Sequence, residues 1–156
     1  MTIETRLLLT SLLLAGLVGE VAFELYAWLM SPFVFGPALE PAKLVMGLTQ
    51  KFAGVSLPYA AAFALHFLIG SLGFAVFVHL VKRLSGLGYR MAGALGGLVL
   101  WFVAQGILAP LMGREFMMGF GAYTQSSFVA HVGMAFLIGV VLQTRLTPAR
   151  TAVVPH

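Results

Sequence analysis

Residues 19–28 read GEVAFELYAW, and they stand inside an apolar run that extends from Arg6 to Pro32. At roughly 25 residues the run is long enough to cross a bilayer with some tilt. It nevertheless carries two carboxylates, Glu20 and Glu24. A carboxylate facing lipid costs roughly 2.5–3.5 kcal/mol even on the lenient insertion scale. Positions i and i+4 share one helix face, so the pair is expected to turn inward, toward other helices. The stretch calls for a bundle.

Composition agrees. The 156 residues are 60% hydrophobic and 9% charged, against about 25% charged in a soluble domain. Nine Lys and Arg against five acidic residues, all Glu, give a net charge of +4. A basic balance can signal nucleic-acid binding, but here the basic residues fall at helix ends and read as topology signals, so no nucleic-acid partner is expected. Cysteine is absent, which excludes disulfides, thiolate nucleophiles and Cys-ligated clusters. Arg6 followed by LLLTSLLLAGLVG mimics a signal peptide, yet no small-x-small site follows and the run continues, so it reads as a retained span.

Further apolar runs place spans at about 8–31, 57–81, 91–112 and 127–144. The expected fold is an all-α, integral membrane four-helix antiparallel bundle, one domain over residues 1–156. In the first connection, Pro41 after Glu40 suits a first helical position. AKLVMGLTQKF has apolar residues at helical spacing, so a short interfacial helix is expected over about 41–51. The third connection, GREFMMGFGAYTQSS, is rich in Gly, Met and Phe and is expected to dip against the bundle. Gly16 and Gly19, Gly70 and Gly73, Gly93 and Gly97, and Gly133 and Gly139 mark close helix approaches, because lipid offers no hydrophobic drive for association.

Basic residues orient the chain. With the N-terminus inside, Arg6, Lys82, Arg83, Arg90, Arg145 and Arg150 lie on the inner side and Lys43, Lys51 and Arg114 outside. Six against three predicts cytoplasmic N- and C-termini.

Depth follows from counting residues outward from these anchors at 1.5 Å each. Glu20 and Glu24 come about 21 and 27 Å from Arg6, and His66 about 26 Å from Arg83. Gln105 is about 22 Å from Arg90, and His131 about 21 Å from Arg145. All four helices thus set a polar side chain in one slab of the outer half. A buried hydrogen-bonded network is one reading. A proton relay is another. A divalent transition-metal site on Glu20, Glu24, His66 and His131 is a third, since two carboxylates and two imidazoles suit Zn, Mn or Fe. A haem b held by His66 and His131 as axial ligands must also be weighed, with two carboxylates as awkward neighbours. His79 is expected near the inner headgroups. Trp28, Tyr26, Tyr89 and Tyr123 are expected as interfacial anchors. The serines have no base at an obvious spacing, so no catalytic residue is assigned.

Two echoes link the halves. FLIG occurs at 67–70 and 136–139, and AGLVGEVAFE (15–24) aligns with GGLVLWFVAQ (96–105), which hints at a tandem two-helix duplication. LHFLIGSLGFAVF, GALGGLVLWFVAQGILAPLMG and SSFVAHVGMAFLIGVVL also carry a resemblance. His66, Gly70, Gly93, Gly97, Trp101, Pro110 and His131 match the pattern of four-helix bacterial inner-membrane proteins of the YagU type, over roughly residues 10–145. Glu20 and Glu24 fall outside that pattern. The resemblance implies a bacterial inner-membrane protein and no particular reaction.

The chain is therefore expected to be non-enzymatic: a subunit or accessory protein packed against larger membrane partners or itself. The alternative is a small transporter or a metal- or haem-binding protein that uses the polar layer.

Overall fold

The computed structural model describes residues 2–147; Arg150 and His156 lie outside them. Four helices are long and apolar enough to cross a membrane: α1 (Ile3–Phe35), α3 (Tyr59–Ser85), α4 (Tyr89–Leu111) and α5 (Ala122–Leu146). The shorter α2 (Pro41–Ala53) lies between the first two. The fold is an all-α bundle, and the chain is a small polytopic membrane protein.

Thr2 caps α1, its side chain accepting from the Thr5 N–H. Pro41 occupies the start of α2, and Gly54 ends it in the left-handed conformation (φ 67°). Gly86 (φ 70°) ends α3 in the same way and allows the short turn into α4. Arg6, Lys82, Arg83, Arg90 and Arg145 gather at one end of the bundle, the basic end. There Arg145 Nε donates to Ser11 Oγ (3.2 Å) and the Arg90 N–H to Gln143 Oε1 (3.4 Å). His79 Nδ1 lies 2.7 Å from the Tyr89 hydroxyl, with Lys82 over the Tyr89 ring.

The spans close into a ring in which α1 packs on α3 and α5, and α4 on α5 and α3. Small residues set the distances. A methyl carbon on Gly93 would fall 2.3 Å from the Ala135 carbonyl oxygen, on Gly97 2.6 Å from that of His131, and on Gly139 2.2 Å from that of Tyr89. Such backbone-to-backbone approach is how helices associate in lipid. The glycine faces are thus largely spent inside the chain. The echo between the halves does not extend to packing, for Gly16 meets Ser71 whereas its counterpart Gly97 meets His131, not Val140.

Three spans contain a π-helical segment: Tyr26–Met30 in α1, Ile69–Phe74 in α3 and Val103–Leu108 in α4. Two have a cause in the sequence. Pro32 and Pro110 each follow such a segment by two residues, and a proline ring clashes with the carbonyl four residues earlier. Widening the turn relieves that clash, with Ser31 N–H reaching the Tyr26 carbonyl and Ala109 N–H the Ala104 carbonyl. The apolar run expected to stop near residue 31 therefore continues as helix through Pro32 to Phe35.

The contacts between α3 and α4 concentrate toward the basic end, where Gly96 faces Phe77 and Val78. In the other half, α2 packs on the start of α3, and Lys51 Nζ donates to the Leu111 carbonyl. The third connection turns back on the bundle through Phe116–Phe120, where Met117 (φ 52°), Met118 (φ 50°) and Phe120 (φ 56°) are left-handed. Side chains rarely adopt that conformation without compensation. Here Met117 is buried against Gly106, and its carbonyl accepts from the Thr124 hydroxyl.

Candidate metal centre and adjoining cavity

Glu20, Glu24 and Trp28 follow one another at four-residue intervals along α1 and share its inward face. Glu20 is fully buried. Across from it α3 presents His66, whose Nδ1 lies 3.1 Å from Glu20 Oε1 and 3.4 Å from Glu24 Oε1. Trp28 Nε1 donates to Glu24 Oε2 at 2.9 Å and fixes that carboxylate. One ligand atom from each of Glu20, Glu24 and His66 falls within 4.8 Å of the others. Proximity does not amount to satisfaction, because both oxygens of Glu20, Oε1 of Glu24 and Nδ1 of His66 make no aligned hydrogen bond. Among the described residues no lysine or arginine pairs with either carboxylate.

Gly70 makes room for this group. A methyl carbon there would fall 1.8 Å from Glu20 Oε2 and 2.3 Å from the carboxyl carbon. The glycine of the FLIG motif is therefore a wall of the site, and it belongs to the π segment of α3. Such segments recur at functional sites because they re-aim side chains within a helix.

The slab of five polar residues expected from the sequence divides into two groups. Phe23 stands between them, its ring 5.7 Å from that of His66 and 5.5 Å from that of His131. Beyond it, His131 Nδ1 lies 2.7 Å from the Ser127 carbonyl oxygen and 3.2 Å from its hydroxyl, which accepts from Gln105 Nε2 at 3.0 Å. The four-ligand set with His131 is corrected to the three ligands that converge. The bis-histidine haem is corrected as well, because Phe23 packs against both imidazoles and the cavity that they share, about 220 Å³, is too small for a porphyrin. Rotation about the helix axis, invisible to a depth count, decides both points.

His66, Gln105, Ser127 and His131 also line a cavity of about 220 Å³. Its other walls are largely apolar, including Phe23, Phe74 and Leu100, with Leu44, Val45 and Leu48 of α2 as a roof. Arg114 and Tyr123 reach it from the third connection and the start of α5. Phe23, Gly70, Trp28 and Ser127 were not assigned to a site from the sequence. Gly70 reads from the sequence as a close helix approach and Trp28, for all its spacing from Glu24, as an interfacial anchor.

Comparison of the chain with protein-family models, with curated proteins and with solved structures finds no match. The site stands on its geometry.

Proposed function

We propose that this membrane protein binds one divalent transition-metal ion through Glu20, Glu24 and His66. The observation that carries the reading is the convergence of two buried carboxylates on one imidazole, with three carboxylate oxygens that make no aligned hydrogen bond. Two adjacent carboxylates in a low-dielectric interior require a cation or protons, and a divalent ion answers both charges at once. The mixed oxygen and nitrogen set suits Zn, Mn or Fe(II). Trp28 would hold Glu24 in orientation, a role whose loss costs metal sites about 10–100-fold in affinity. Three protein ligands leave at least one coordination position for water or a small ligand, the pattern of open rather than purely structural sites.

Two neighbouring expectations follow the same reading. The excess of basic residues at one end supports cytoplasmic termini, and the YagU-type resemblance supports a bacterial inner membrane. The accessory-subunit reading has less support, because Gly16, Gly93, Gly97 and Gly139 are spent on contacts within the chain.

The test is a titration of chelator-treated protein in nanodiscs with Mn(II), Fe(II) and Zn(II), followed by calorimetry and, in a Trp101→Phe background, by Trp28 emission. One ion per chain is expected, and Glu20→Gln should weaken binding at least about 100-fold while the variant stays folded. Equal binding by wild type and variant, or no stoichiometric binding at all, would sink the proposal.

A further inference from the structure

Beneath α2 the outer half of the bundle is not filled. The cavity of about 220 Å³ runs beside α4 from Leu100 to Ala109, about 13 Å of helix. That volume over that length makes a passage about one alkyl chain wide rather than a chamber. Most of its wall is apolar, with Leu44 and Leu48 above, Ile69 and Phe74 on α3, and Leu100 and Val103 on α4. The polar residues along it are engaged with one another: Gln105 Nε2 donates to Ser127 Oγ, which lies 3.2 Å from His131 Nδ1, and Gln105 Oε1 is buried away from the cavity. Protein interiors are close-packed, and an apolar void of this size stays dry and takes an apolar occupant.

Two observations say what that occupant is. Ile69 lines the cavity yet is 46% exposed, and α3 and α4 part in this half of the bundle, so the cavity opens sideways, toward lipid. Arg114 lines its outer end together with Tyr123. Among the described residues no carboxylate pairs with that guanidinium. Glu40 bonds Lys43, Glu20 and Glu24 face His66, Glu115 turns toward Gly119, and Glu4 stands at the opposite end of the bundle. An apolar passage with an unpaired cation at its end fits a chain with a negative head.

We propose that this cavity holds the chain of an ionised fatty acid, which enters between α3 and α4 and sets its carboxylate on Arg114. The planar guanidinium matches a carboxylate with two parallel N–H groups. A phospholipid is a poorer match, because the passage takes one chain and leaves the second in the bilayer. The proposal is one of binding, and it does not rest on the metal centre.

The experiment uses chelator-treated protein in phosphatidylcholine nanodiscs at mildly alkaline pH, where the acid is ionised. No metal can then take the carboxylate, and failure of the metal reading leaves the test intact. The probes are decanoate, decanol and adamantane carboxylate, each titrated calorimetrically against empty nanodiscs. Saturable binding of one decanoate per chain is expected, at least about fivefold tighter than decanol, the factor that an ion pair at a half-open site contributes. Adamantane carboxylate, the same head on a compact cage, should not compete. Arg114→Gln, at an exposed position, should bring decanoate down to decanol, and Ala104→Phe, which fills the passage, should abolish binding of both. No saturable binding beyond the empty-nanodisc background, equal affinity for decanol, competition by the cage, or an unchanged preference in Arg114→Gln would overturn the proposal. Displacement of decanoate by a small mole fraction of phosphatidylglycerol would overturn it too, by giving the cavity to a phospholipid chain. The wild-type ligand series decides the matter even if Ala104→Phe fails to fold.

Discussion

Gly16→Ala is expected to be among the most destabilising single substitutions in the bundle. The added carbon would fall 1.7 Å from the carbonyl oxygen of Ser71 and 2.7 Å from its carbonyl carbon. Both are backbone atoms of α3, so no rotamer change can clear them and the two helices must separate. Overpacking of this kind costs about 1–3 kcal/mol and sometimes more, and a backbone collision belongs at the upper end. Thermal unfolding in detergent micelles reads the loss. Gly133→Ala is the control, because nothing lies within 4 Å of a methyl carbon there; in the interior of α5 it should be neutral or stabilise by up to about 1 kcal/mol. Equal melting of the two variants would refute the close approach of α1 and α3.

Gly70→Ala is expected to behave differently, although its collision is nearly as short. The atoms struck are the carboxylate of Glu20, 1.8 Å away. A side-chain end can be pushed aside where a backbone cannot, and alanine is worth about 1 kcal/mol over glycine in a helix interior. The bundle should therefore persist while the metal centre is lost, with an affinity fall of about 100-fold in the same titration. A Gly70→Ala protein that binds metal like the wild type would show that Glu20 is not a ligand from the position described.

The contrast between these glycines marks what sequence could and could not reveal. Both were legible as sites of close approach, because small residues in apolar helices have few other uses. Which of them faced a backbone and which a carboxylate depends on rotation about the helix axis, and periodicity leaves that angle open. The same limit divided the polar layer. Counting from Arg6 and Arg83 set Glu20, Glu24 and His66 at comparable depth, and those three do meet. Counting from Arg145 set His131 at that depth too, but Phe23, which read as an ordinary apolar residue, stands between. The short helix α2 was legible from Pro41 and the spacing after it. The continuation of α1 beyond Pro32 was not, because a proline ordinarily ends a helix and only the π segment before it lets the helix go on.

Those π segments also bear on how the length of this chain can change over generations. A π turn contains one residue more than an α turn requires. Loss of a residue from Tyr26–Met30, Ile69–Phe74 or Val103–Leu108 would return that turn to the α form and leave the helix on either side in phase. The same loss from α5, which is α-helical throughout Ala122–Leu146, would rotate everything beyond it by about 100°. Single-residue gaps between this protein and its relatives should therefore be placed in those three windows and kept out of α5.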